Sequence, residues 1–225
     1  EAVRHADATA GLVVTSVFEA FPGLSAVRTY TRLSSAHPLP IEAVSSLNLT
    51  VPMRVNCGKI DHSRVFWGDA AWAVENDWRV RPLRDTQVRN RNQKINPGQS
   101  SSRFAMSSAS TWSTGVHEPA GIVQVEGSRR QSRDFSVMWQ IEHNGPWEWE
   151  IGEDDPGLHI SAFGPEYQDH HWYTELGEGH DFESVPVSFA ISAGDWQQSV
   201  AEMTLQRRAL RAAKARELGR SEQFE

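Results

Sequence analysis

Apolar residues recur at every second position, or as short β-branched runs, at Leu12 to Phe18, Leu24 to Leu33, Ile41 to Met53, Gly121 to Val125, Phe135 to Ile141, Leu158 to Phe163 and Val185 to Ile191. Pro, Gly, Asn and Asp fall between them. Side chains alternate faces along a strand, so this spacing predicts half-buried antiparallel strands packed as a sandwich. No stretch alternates strand with helix in the βαβ manner, and no segment repeats. The segment from Trp139 to Trp149 (Trp-Gln-Ile-Glu-His-Asn-Gly-Pro-Trp-Glu-Trp) reads as two short strands joined by a tight reversal. Along the second, Trp147 and Trp149 fall on one face and Glu148 and Glu150 on the other. The polar, arginine-rich region from Arg81 to Ser113, with Asn96-Pro97-Gly98 and the serines 100 to 102, predicts a long loop or an excursion across one sheet.

The period changes near the end of the chain. A helix is predicted from Asp195, whose carboxylate can cap it, with Gln198 three residues on in the capping-box position. Val200, Met203, Leu205 and Leu210 supply its apolar stripe through Ala213, opposite Arg207, Arg208, Arg211 and Lys214. The basic residues lie in the C-terminal half, where they complement the helix dipole. The expected division is a β domain over residues 1–194 and a linker helix with its tail over 195–225, fraying from Arg220.

At 225 residues the chain suits one large all-β domain with a substantial core. A net charge of −7 and a pI near 5.7 argue against nucleic acid as a partner, since a phosphate-binding surface needs a basic face. Neutral sugars stay open. Cys57 is the only cysteine, which excludes an internal disulfide and a cysteine-based zinc site and favours a cytoplasmic home. No apolar run is long enough to span a bilayer, so no membrane partner is expected. The chain opens on Glu1, which suggests that its natural start has been trimmed. Lys59, Lys94 and Lys214 are the only lysines among 22 basic residues, a bias typical of a GC-rich bacterial genome.

Candidate chemistry is concentrated in the second half. Glu148 and Glu150 share a strand face and resemble the two acids of a retaining glycosidase, although such pairs normally come from different strands; solvent-facing acids are the plainer reading. His143, His159, His170, His171 and His180 lack the spacing of metal ligands, and adjacent His170 and His171 would point to opposite faces of a strand. Neither a metal nor another cofactor is expected. A sugar-ring-opening site would need an acid and a base, for which His143 with Glu142 or Glu148 is the obvious supply. The indoles of Trp67, Trp72, Trp78, Trp112, Trp147, Trp149 and Trp172 offer stacking platforms for a pyranose or filling for a core. Asn48-Leu49-Thr50 is a glycosylation sequon by letter.

Several segments occur in order along the chain: Trp67-Gly68, Trp72 to Trp78, Asn96-Pro97 with Ser100 to Phe104, Ser110 to Thr114, Trp139 to Glu150, Gly164-Pro165-Glu166 with Asp169 to Trp172, Gly177 to Phe182 with Val185 to Val187, and Leu205 to Arg208 with Arg211. Together they resemble the N-terminal domain of glycoside hydrolase family 36, the alpha-galactosidase or melibiase family, over roughly Leu12 to Arg211. The resemblance implies a β-supersandwich, similar in fold to galactose mutarotase, whose C-terminal helix leads toward a (β/α)8 barrel. In that family the catalytic aspartates lie on the barrel, which is absent here, so no catalytic residue carries over and the chain alone is expected to be inactive. It implies a non-catalytic domain that supports the active-site rim and oligomer interface of an enzyme hydrolysing terminal alpha-galactosides. The partners expected are the catalytic barrel, an alpha-galactoside or galactose-like sugar, and a second copy in a homo-oligomer. Trp147, Trp149, His171 and Trp172 are the expected sugar-contacting residues. The alternatives are a free-standing carbohydrate-binding module stacking on Trp147, Trp149 or Trp172, and an aldose epimerase, whose signature residues are not evident.

Overall fold

Alternation of apolar and polar side chains divides the strands into two sheets that share one core. The computed structural model describes residues 1–7, 11–52, 63–86, 88, 103–109, 111–112, 114–126, 134–154 and 157–219. In chain order the strands are β1 (Ala2–Asp7), β2 (Leu12–Ala20), β3 (Ala26–Ser35), β4 (Leu39–Ile41), β5 (Ser45–Pro52), β6 (Arg64–Ala71), β7 (Val74–Pro82), β8 (Arg103–Ser108), β9 (His117–Val125), β10 (Phe135–Ile141), β11 (Trp147–Asp154), β12 (Gly157–Phe163), β13 (Thr174–Leu176), β14 (Phe182–Glu183) and β15 (Val187–Ala193). A four-residue helix, α1 (Tyr167–His170), follows β12, and α2 (Trp196–Glu217) follows β15.

The large sheet runs β1-β2-β3-β15-β10-β9-β6-β7, with β14 also paired to β3, and the small sheet runs β5-β12-β11-β8. A ribbon of β4 and β13 stands apart. Neighbours in all three pair antiparallel. On the small sheet Leu47, Val51, Trp147, Trp149, Ile151, Leu158 and Ile160 turn inward, and on the large sheet Val65, Trp67, Val123, Val137, Trp139 and Ile141 meet them. Trp139 and Trp149 touch edge to face across the layers, with centroids 5.2 Å apart, and Phe104 lies between Trp67 and Trp149. Each fully buried indole removes about 150–250 Å² from water, worth at most roughly 4–6 kcal/mol by area. This is the expected β-supersandwich with a helix at its C-terminal end.

Three local expectations are corrected. The Trp139–Trp149 segment is not a hairpin, because β10 pairs with β9 and β15 whereas β11 pairs with β8 and β12. Its Gly-Pro turn carries the chain from one sheet to the other, which lets tryptophans on both sides of the turn fill the same core. The predicted loop over Arg81 to Ser113 contains the end of β7, a 3₁₀ turn at Leu83–Asp85 and the edge strand β8, whose Phe104 and Met106 pack on the core. The serines 100 to 102 and Asn96-Pro97-Gly98 lie outside the described residues, as do Cys57 and the tail from Arg220.

The third correction concerns α2. Asp195 caps it as expected, accepting the Gln197 N–H at 2.9 Å. The buried side chains, however, are Ser199, Met203 and Gln206, and Leu205 faces solvent. Met203 enters a small second core on the outer surface of the large sheet with Ala26, Ile122, Met138 and Ala190. Gln206 donates to Ser188 Oγ at 2.6 Å, Ser188 donates to Glu142 at 2.5 Å, and Glu142 pairs with Arg28 at 2.8 Å. A polar relay thus seats this helix beside the methionine.

Candidate functional site

The outward face of the small sheet carries the densest group of ionisable side chains. Because Trp147 and Trp149 point inward, Glu148 and Glu150 must point outward. Arg103, on the neighbouring edge strand, grips both, Nη2 on Glu148 and Nε on Glu150. His159, opposite Gly152 on β12, contacts Ser161 Oγ at 2.8 Å and lies 3.7 Å from Glu150.

The loop after β12 folds over this face. Glu166 caps α1 by accepting the N–H groups of Gln168, at 2.5 Å, and Asp169. Its own N–H donates to His170 Nδ1 at 3.2 Å, which leaves the imidazole proton on Nε2; that atom is buried without a partner among the described residues. Tyr167 N–H donates to the Glu42 carbonyl at 2.8 Å, and Trp172 N–H to the Glu166 carbonyl at 3.2 Å. Side-chain oxygens of Glu148, Glu166 and Asp169 consequently lie within 4.8 Å of one another. These three acids are spaced to hold a cation among the described residues, but Arg103 already supplies the counter-charge.

Burial pushes the Glu148 carboxyl up to about 8, its hydrogen bond with Asp169 adds to the rise, and Arg103 opposes it. A carboxyl raised this far favours its protonated form near neutral pH. A pocket of about 470 Å³ opens beside the cluster, bordered by Glu42, Glu150, Phe163 and Tyr167.

Chemically the arrangement is a clamp. One guanidinium holds Glu148 and Glu150 side by side, so they do not flank a glycosidic bond from opposite sides as a hydrolytic pair would. In the acid-base alternative of His143 with Glu142 or Glu148, both acids are already engaged by other groups. Glu142 is engaged by Arg28 and Ser188 on the outside of the large sheet, and Glu148 faces out from the small one.

The four residues expected to contact sugar separate into two pairs. Trp147 and Trp149 are fully buried and present no face to a ligand, which corrects their reading as stacking platforms; alternation that displays the acids must bury the indoles. His171 and Trp172 do sit together at the end of the loop. His171 is exposed, in the left-handed region at φ 53°, capping α1 with its ring edge-on to Tyr167. Trp172 is half-buried against Phe182, with centroids 5.2 Å apart. His170 and His171 close a helical turn, so the expected opposite-face strand geometry does not apply. The sequence reading missed Arg103, Glu166 and Asp169 as members of one cluster. An acid just ahead of a four-residue helix was a legible cap, whereas Arg103 lies 45 and 47 positions from its partners and carries no local signal.

No protein-family model matches the sequence, and no curated protein matches it. Solved structures do. The chain aligns over 85% of its length with family 36 alpha-galactosidase AgaA from Geobacillus stearothermophilus, at 16% identity and a TM-score of 0.66. AgaB from the same organism gives 15% identity, a TM-score of 0.67 and the same 85%. The alpha-galactosidase from Lactobacillus brevis gives 15% identity and 0.65 over 86%. In each case the chain spans 23% of the longer protein. At these identities the likeness is one of fold: this chain has the fold of one domain of those enzymes.

Proposed function

We propose that the chain is a non-catalytic N-terminal domain of an alpha-galactosidase-like, melibiase-type bacterial glycoside hydrolase, in which it supports the active-site rim and the oligomer interface. The observation that supports this reading is the fold match, which takes in most of this chain but under a quarter of each alpha-galactosidase. Its partners are a catalytic barrel following α2, the alpha-galactoside that the barrel hydrolyses, and further copies of the same chain. A cytoplasmic location accords with the single cysteine.

Within this reading the loop from Gly164 to Trp172 is the rim element. It is anchored by Glu166 and the Tyr167–Glu42 backbone bond, and it presents His171 and Tyr167 outward. A rigid base with an exposed polar and aromatic tip is what a loop needs to border a sugar site without supplying chemistry. The test uses a longer chain in which this domain precedes the catalytic one. His171→Ala and Trp172→Ala are expected to raise KM for melibiose or weaken self-association while leaving kcat nearly intact. Unchanged KM and unchanged oligomeric state in both variants would refute the rim assignment.

A further inference from the structure

The outer surface of the large sheet holds a second recess, of about 620 Å³, between the edge strand β7 and the first half of α2. Its floor is apolar, with Phe66 and Ile122 among its residues, and an indole stands at either side, Trp78 from β7 and Trp196 from α2. Each indole is 38% exposed, so neither is spent on the core. Both are held in place. Trp78 Nε1–H donates to Asn76 Oδ1 at 2.7 Å, and Trp196 packs on Phe66 with centroids 6.0 Å apart.

The rim is polar and of both signs. Glu118 and Arg207 border the recess together with the Gln140 amide. Arg207 Nη1 donates to Gln140 Oε1 and its Nη2 to Thr204 Oγ1, each a long bond of 3.3 Å that leaves the remaining N–H groups of the guanidinium for a ligand. Glu118 has neither a hydrogen-bond nor an ion-pair partner among the described residues, and burial raises its pKa. Gly68 keeps the space open: a Cβ there would meet Glu118 Cγ at 2.6 Å and Trp78 Cε2 at 3.4 Å.

We infer that this recess between Trp78 and Trp196 is a binding site for a neutral pyranoside of one or two sugar rings. The volume lies within the roughly 300–1,000 Å³ usual for small-ligand sites, which are mostly apolar with a few placed polar groups. An anionic ligand would meet Glu118 and a cationic one Arg207. A neutral polyol can satisfy both while laying its C–H face on an indole. The choice of an alpha-galactoside as the particular sugar rests on the proposed function; the recess itself does not.

The test is an NMR titration of the 225-residue chain, following its nine indole N–H signals with melibiose and, in parallel, with maltose. The proposal expects saturable shifts at Trp78 and Trp196 with melibiose. Trp78→Ala and Trp196→Ala are each expected to weaken binding about tenfold, the equivalent of 1.4 kcal/mol. Glu118→Gln, which preserves shape, is expected to weaken it several-fold in a fully folded sample. Shifts at these two indoles with maltose alone would still support the recess while removing the galactoside reading. A folded chain in which neither sugar moves these signals, or in which affinity is unchanged by all three variants, overturns the proposal.

Discussion

Gly121→Ala is expected to destabilise the protein more than a methyl group ordinarily does. Gly121 lies directly opposite Trp139 on β10 and opposite Trp67 on β6, at the middle of the large sheet. An added Cβ would stand 2.3 Å from Trp139 Cζ2 and 2.8 Å from Cε2, against a normal carbon-carbon contact of roughly 3.5–4.0 Å. The ring would have to retreat by more than about 1 Å. It has nowhere to go, being fully buried and edge-on to Trp149 at 5.2 Å. Overpacking of a dense core costs about 1–3 kcal/mol, and a clash with the body of an indole belongs at the upper end. For a domain of this size each kcal/mol lowers Tm by about 2–4 °C, so the expected drop is about 6–12 °C. Thermal melts followed by near-ultraviolet circular dichroism read this directly, with Gly177→Ala, whose Cβ would meet only Pro38 Cα at 3.9 Å, as the neutral control. Combining Gly121→Ala with Trp139→Phe should recover part of the loss, because the smaller ring vacates the contested space. A Gly121→Ala protein melting within about 2 °C of its parent would refute this account of the core.

Two further outcomes follow from the cluster and from the helix. With the Glu148 carboxyl near 8 in the folded chain and 4.5 as its ordinary value, the native state holds the extra proton between those pH values. Its contribution to stability is full below about 4.5, falls as pH rises toward about 8 and is lost above it, so urea midpoints at pH 5 and pH 8.5 should differ less in Glu148→Gln than in the parent; equal differences would contradict the assignment. Asp195→Ala removes the acceptor for the Gln197 N–H and should cost about 1 kcal/mol, or 2–4 °C in Tm, with Asp195→Asn largely preserving stability; an unchanged melt in the alanine variant would contradict the capping role.

What the sequence shows and what it conceals divide along the range of the interactions. Alternation at Trp147 to Glu150 is local, and it correctly separates the indole face from the acid face. It does not say which face is the core, and a pattern of aromatics and acids reads equally well as a displayed sugar platform. Pairing is non-local, so the turn at Gly145-Pro146 looks like a hairpin although its strands enter different sheets. The edge strands β7 and β8 escape notice for different reasons: β7 is exposed along most of its length and carries Glu, Asn, Asp and Arg, whereas β8 is short and sets its Phe104 and Met106 among Arg and Ser, the composition of a loop. The cap of α2 is legible in Asp195. Its buried stripe is not, because Gln206 and Ser199 are buried by hydrogen bonds to the sheet rather than by hydrophobicity. The acid clamp has the same cause: Arg103, Glu148 and Asp169 meet only once two sheet strands and a loop have been assembled.

The most direct test of the central claim is an assay of galactose release from p-nitrophenyl alpha-galactoside by the purified 225-residue chain, beside a longer chain in which it precedes a catalytic domain. A supporting domain gives no release above buffer by itself and turnover only in the longer chain. Release by the short chain that disappears in Glu148→Gln would contradict the account, placing catalysis on the clamped acids of the small sheet.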